Sequence, residues 1–354
     1  MVKRTGRRAA LRLLAAAAAA ACTPAPGEAV ARTAVPTPTA TATVTPPPRG
    51  GRVTAYSTLG QAAEAALVEA FTKSHPGTEL EIVPLPGAGD VQTRLTIEKA
   101  ARADVFLGGG SEFHAPLGAQ GLLEPYASPA AQAVPAGLKD PSGLWTGWYL
   151  EAFGVAAAGG RRADGWDDLA DSSWKGRLAL PDPARTTAGF AFLTAQVFRF
   201  ARDEQKAMDY LKRLHANEPR YTGTAAEAVN LVRPGPGQVL GAVGWSHDVL
   251  GMSGIAPTWE LAVPAATGFA VGSVSILKGA RNGATARALV DWLLTPEAGN
   301  TMVRSSRRWS TLGAVAPPAG APPLAHVSLA TGDREWAIDN RTRLVRLWQR
   351  SVGA

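Results

Sequence analysis

The chain has 354 residues, 46% hydrophobic and 18% charged, with 38 Gly and 27 Pro, which suits two domains or one two-lobed unit with a deep cleft and excludes a coiled coil or a wholly disordered chain. The formal charge of +7 sits at one end: eight of the 36 basic residues and one of the 29 acidic residues precede Val53, leaving 28 of each in 53–354. A fold with no basic excess leaves a nucleic-acid role without its main support.

Lys3 to Arg8 form a basic stretch and Leu13 to Ala21 a short apolar one ending in small residues. This is the layout of an export signal over 1–21, too short to span a bilayer. Ala19-Ala20-Ala21-Cys22 resembles a bacterial lipobox, whose cysteine is lipidated and becomes the new N-terminus, although a larger aliphatic residue is usual where Ala19 stands. Cleavage by the ordinary signal peptidase is the alternative. Cys22 is the only cysteine, which favours lipidation there and removes a disulfide framework, a Cys-rich zinc site and a thiolate nucleophile from the fold. Arg7-Arg8 follows Gly6 and precedes no Phe, so Sec and twin-arginine export both stay open.

Residues 22–52 read as the lipidated cysteine plus a Thr/Pro/Ala linker. Thr23 to Gly50 contains no Leu, Ile or aromatic residue and cannot build a core. In an extended proline-rich conformation those 28 residues reach on the order of 90 Å at about 3.1 Å each, a tether for a body held near a membrane.

The body alternates. Arg52 to Ser57 reads as a strand and Gly60 to Lys73 as a helix with Ala63, Leu67 and Phe71 at four-residue spacing, stopped by His75-Pro76-Gly77. Glu79 to Pro84 is a second strand and Val91 to Ala101 an amphipathic helix. The buried run Ala103 to Leu107 follows, broken by Gly108-Gly109-Gly110. This rhythm predicts a parallel sheet covered by helices. A second α/β block has strands at 177–180, 239–245 and 271–277 and helices at 188–202, 285–294 and 342–350.

In open parallel sheets ligands collect at the carboxyl ends of strands, where helix starts present free N–H groups. Hydroxyl-rich or glycine-rich segments stand at five such ends: Ser57-Thr58, Gly110-Ser111, Thr186-Thr187, Thr224 and Ser246-His247-Asp248. They suit an anion such as phosphate, phosphonate or carboxylate; singly, each also reads as an ordinary helix cap or turn. His247 beside Asp248 reads as a donor–acceptor pair for ligand hydroxyls or as a surface loop pair. Trp145, Trp148, Trp245 and Trp259 read as core or lobe packing, although Trp145 and Trp245 lie near the expected cleft, where stacking on an organic ligand is the alternative.

Other chemistry is poorly served. Gly108-Gly109-Gly110 lacks the later glycine of a dinucleotide fingerprint, and no Gly-Lys-Ser/Thr phosphate loop occurs. Ser246, His247 and Asp248 are consecutive and cannot converge as a nucleophile–base–acid relay. The five histidines (75, 114, 215, 247 and 326) have no metal-ligand spacing. No catalytic residue, metal site or cofactor is expected.

From about 52 to 350 the body resembles the type II substrate-binding proteins of bacterial ABC transporters, in the branch that includes ferric-iron, thiamine, phosphonate and sugar-phosphate binders. The resemblance is carried by Val53-Thr54-Ala55-Tyr56-Ser57, Ala103 to Gly110, Gly121 to Tyr126, Trp166-Asp167-Asp168-Leu169, Trp174-Lys175-Gly176-Arg177, Pro181-Asp182-Pro183-Ala184 and Ile276 to Asn282. It implies an α/β fold of two Rossmann-like lobes, each with a central mixed sheet, joined by a two-strand hinge. One lobe would comprise 53–147 with 268–316, the other 148–267 with 317–354. It further implies a monomer that captures a small solute in the cleft and delivers it to ABC permease subunits.

On this resemblance Ser57, Thr58, Gly110, Ser111, Trp145, Thr186, Thr187, Thr224, Ser246, His247 and Asp248 face the cleft. Sugar-phosphate members use a His-Asp pair at this place, but carry an acid where this chain has Ala270. Ferric binders use adjacent tyrosines; those here (56, 126, 149, 210 and 221) are never adjacent. The expected function is delivery of a small anionic or phosphorylated organic solute. Thiamine or ferric iron as the cargo, and a ligand-sensing role in a signalling receptor, are the alternatives.

Overall fold

The computed structural model describes residues 51–98, 102–252 and 259–353. The export signal, Cys22 and the linker up to residue 50 lie outside the described residues. The first strand, β1 (Gly51–Ser57), is followed by α1 (Gln61–Ser74), β2 (Thr78–Pro84), α2 (Ala88–Ile97), β3 (Val105–Gly110), α3 (Ser111–Ala119) and the short β4 (Leu123–Glu124). A long strand, β5 (Thr146–Ala157), leads into β6 (Leu178–Pro181), α4 (Thr187–Arg199), α5 (Glu204–His215), β7 (Arg220–Thr222), α6 (Ala225–Asn230), β8 (Gly241–Trp245) and α7 (Ser246–Met252). The chain then returns through β9 (Glu260–Ala262), β10 (Phe269–Leu277), α8 (Gly283–Leu293), α9 (Pro296–Ser306), β11 (Trp309–Ser310), α10 (Arg334–Asp339) and α11 (Arg341–Val352).

The strands run in the order β2-β1-β3-β10-β5-β8-β6-β7. β1 pairs in parallel with β2 and β3, and β6 in parallel with β7 and β8, as the alternation of strands and helices requires. β10 and β5 are antiparallel to their neighbours, so the sheet is mixed.

β5 was not anticipated. Its residues are almost all buried on both faces, so it lacks the alternation that marks a half-exposed strand. Residues up to Ala152 pair with β10, and from Phe153 onward with β8 and β9, so one strand belongs to both halves of the sheet. The change of partner lies inside β5, beyond the 147/148 division expected from sequence. Trp148 and Tyr149 accordingly pack in the first core with Leu67, Phe71 and Trp292, whereas Phe153 and Val155 pack in the second with Trp166, Phe192 and Trp348.

Helix starts shift by a few residues from expectation. β3 continues through the three glycines rather than breaking at them: Gly108 and Gly109 take left-handed φ of 93° and 75°, and Gly110 still pairs with Gly272. The kink matters for the site. A Cβ on Gly109 would come within 2.6 Å of Ala88 Cβ, so only glycine lets the strand end turn there.

Candidate functional site

Residues of both sheet halves line one cavity of about 1480 Å³. Nine of the eleven residues expected from sequence stand in its wall: Thr58, Gly110, Ser111, Trp145, Thr186, Thr187, Thr224, His247 and Asp248. Ser57 and Ser246 do not line it and are fully buried. Successive side chains on a strand point to opposite faces. Ser57 turns into the core, where its Oγ accepts from the Leu59 N–H at 3.3 Å, and Thr58 takes the wall. Ser246, the first residue of α7, is buried beside His247, its Oγ without a hydrogen-bond partner among the described residues.

At the rim, several hydroxyls are occupied by the fold. Thr186 Oγ1 accepts from the Gly189 N–H at 2.8 Å and donates to the Asp182 carbonyl at 2.9 Å, capping α4. Thr224 Oγ1 accepts from the Glu227 N–H at 3.0 Å, while Glu227 Oε2 accepts from the Gly223 N–H at 2.8 Å. For these two threonines the ordinary capping role is realised. Thr187 is exposed at the first position of α4. Trp145 is half-buried, and Trp245 stacks on Phe153 with ring centres 4.0 Å apart.

Below them lies a cluster that the sequence reading only half supplied. α9 ends at Arg307 in the left-handed conformation, φ 56°, and the next residue, Arg308, reaches the floor. Its Nε donates to Glu151 Oε2 at 2.8 Å, and Nη2 lies 3.2 Å from His247 Nε2. Because a guanidinium only donates, that contact assigns the imidazole proton to Nδ1. Nδ1 sits 3.6 Å from Glu151 Oε2, and Nε2 sits 3.7 Å from Asp248 Oδ1. His247 and Asp248 are therefore neighbours that do not bond each other, and both line the cavity.

The electrostatics follow from burial and from Arg308. Burial, aided by Arg308 and opposed by Glu151, holds His247 down at about 4, so it is neutral. Burial and the Glu151 charge push Asp248 up to about 6, against Arg308. Burial pushes Glu151 up too, but Arg308 and His247 outweigh it and hold that carboxyl below its ordinary range. Tyr149, its phenol pushed up by burial, stays neutral; its oxygen meets the backbone of Gly109, and the Arg308 guanidinium lies 5.5 Å from the ring centre. A Cβ on Gly272 would lie 1.8 Å from the Tyr149 ring, so that glycine makes the room.

Glu151 and Arg308 were missed. Glu151 is the only charged residue in β5, and a lone charge in an apolar run was the available signal. It stands directly opposite Ala270 in the β5–β10 register, so the place where the resemblance leads one to expect an acid has one on the adjoining strand. The site thus holds charged groups beside the neutral donors expected. His114, buried behind the glycine turn, bonds the Gly108 carbonyl at 2.8 Å and Ser275 Oγ at 2.6 Å; burial keeps it neutral, near 4, and it steadies the strand end. Among the described residues no group of His, Cys, Asp or Glu is arranged to hold a metal ion, and no helix is long and apolar enough to cross a membrane.

Residues 101–325 match the family of bacterial extracellular solute-binding proteins, and the chain belongs to that family, whose members bind solutes rather than transform them. An uncharacterized protein of Haemophilus influenzae is 33% identical over 227 residues, covering 60% of this chain; the match spans 64% of that relative's length. The periplasmic binding protein AfuA from Actinobacillus pleuropneumoniae, solved with exogenous fructose-6-phosphate bound, is 27% identical with a TM-score of 0.67, covering 86% of this chain and 99% of its own. A ferric iron-binding protein A from Mannheimia haemolytica, in an open conformation, is 18% identical with a TM-score of 0.69, covering 85% and 98%; at that identity it speaks for the fold alone. The architecture is that of periplasmic binding proteins.

Proposed function

We propose that the protein captures a small organic solute carrying a phosphate-type anion on a hydroxylated body, and hands it to the permease of an ABC importer. The observation that carries this reading is the single cavity shared by both sheet halves, with a buried guanidinium, two carboxylates and a neutral imidazole on its floor. Carboxylates accept from ligand hydroxyls, and the helix starts at the rim offer amides to an anion. Kinship with a protein solved with fructose-6-phosphate points the same way. On this reading the two halves, bending about β5 and β10, close on the solute. The export signal and Cys22 make the protein a lipid-anchored one on the outer side of the cell membrane.

Trp145 and Trp245 in the wall favour thiamine as a second reading, the aromatic faces stacking on its rings. Direct capture of ferric iron by phenolates is disfavoured, since Tyr149, which lines the cavity, is neutral and has no tyrosine neighbour.

Thermal melting with fructose 6-phosphate, free fructose, thiamine and ferric citrate tests the reading. A ligand bound only by the folded state at a hundred times its Kd adds about 2.7 kcal/mol, which shifts the melting temperature by several degrees. The expected result is a saturable upward shift with the sugar phosphate and a smaller one with the free sugar. A shift with thiamine alone replaces the first reading by the second.

A further inference from the structure

The cavity wall contains a second guanidinium, remote in sequence from the floor cluster. We propose that Arg341 grips the anionic group of the solute, a phosphate-type oxyanion, and so decides which end of the solute faces which wall; this rests on the sugar-phosphate reading above. Arg341 opens α11, lines the cavity, and carries its guanidinium carbon 4.7 Å from the centre of the Phe190 ring. Among the described residues it has no ion-pair partner, whereas Arg308, the other arginine in the wall, is held by Glu151 and His247. Asp339 lines the same wall without forming an ion pair with it.

The support is rigid. Arg343 clasps Glu204 with both Nη atoms at 2.7 Å, and Leu344 and Trp348 of α11 are buried in the core that also holds Phe190. Thr187, one turn before Phe190 on α4, lines the same cavity as Arg341. Thr187 contributes a hydroxyl there, and the guanidinium supplies the charge. An arginine fork seated on an aromatic face inside a concavity is well suited to a phosphate oxygen pair.

The rest of the cavity sends an anion to the same place. Glu151 and Asp248 would repel it from the floor. The start of α3, which also offers amides, already has a carboxylate against it: Glu112 sits so close to Gly110 that a Cβ there would lie 2.1 Å from Oε2. The oxyanion therefore meets Arg341, and the hydroxylated body faces the floor carboxylates.

Titration of the full chain with inorganic phosphate and with fructose 6-phosphate, followed by phosphorus NMR and calorimetry, tests this. Arg341→Gln should weaken both by about ten- to a hundredfold, Arg341→Lys by less, with the ligand-free melting temperature unchanged in each. If the parent binds both probes and Arg341→Gln, still folded, binds them as tightly, Arg341 is not the anion grip, and the sugar-phosphate reading survives. If the substitution weakens inorganic phosphate but fructose 6-phosphate binds no better than phosphate, the grip stands and that reading falls. A parent that binds neither overturns both.

Discussion

At the rim of the cavity, polar groups belong to helix starts and satisfy one another within a few residues: Thr186 with Gly189 and Asp182, Thr224 with Glu227. At the floor, Glu151, His247 and Arg308 come from three distant stretches of chain and hold charge out of water. The rim is cheap to build and tolerant of change. The floor is costly, because charges taken out of water are stable only while each has its partner. A binding protein gains selectivity from the second kind of construction, since a wrong ligand leaves buried groups unpaired.

Substitutions separate the two regions. The largest effect is expected for Arg308→Met, which leaves Glu151 buried without its cation; urea unfolding should show a loss of about 3–5 kcal/mol. Adding Glu151→Leu should restore most of that stability but not solute binding. A single variant as stable as the parent would show that the floor pair contributes no structural constraint.

Asp248→Asn should act in the opposite sense on stability. The folded state raises this carboxyl to about 6 from 3.8, so the stability it contributes is fully present below its ordinary value and is lost as pH rises through 6. The variant should be more stable than the parent by about 1–3 kcal/mol at pH 8, with the gap closing toward pH 4. Solute affinity should fall at the same time, as a hydroxyl acceptor is removed. His247 runs the other way: held at about 4, its contribution is complete above 6.5 and lost as pH falls toward 4. Melting temperatures across pH 4–8 for the parent, Asp248→Asn and His247→Ala would resolve the two.

The smallest effect belongs to the rim. Thr224→Ala should cost about 1 kcal/mol as a lost helix cap and leave solute affinity within about twofold. A large loss of affinity with intact stability would move Thr224 from the scaffold to the ligand.

The same division explains what could be read from the chain. Gly110-Ser111, Thr186-Thr187 and Thr224 announced themselves because a strand end followed by small polar residues and a helix is a local pattern. Ser57 and Ser246 share that pattern but face the core: Ser57 ends β1, where a one-residue step reverses direction, and Ser246 opens α7 with its side chain buried. Arg308 carries no local mark: it is one arginine in a basic pair, brought to the floor by the left-handed turn at Arg307. β5 escaped notice because burial on both faces erases periodicity, and Glu151 went with it.

That strand has a thermodynamic consequence. β5 gives its first residues to hydrogen bonds in one half of the sheet and its last to the other. Neither half can melt without stripping edges from its neighbour, so heat should take both apart in one calorimetric peak, its enthalpy scaling with the whole body rather than with either half.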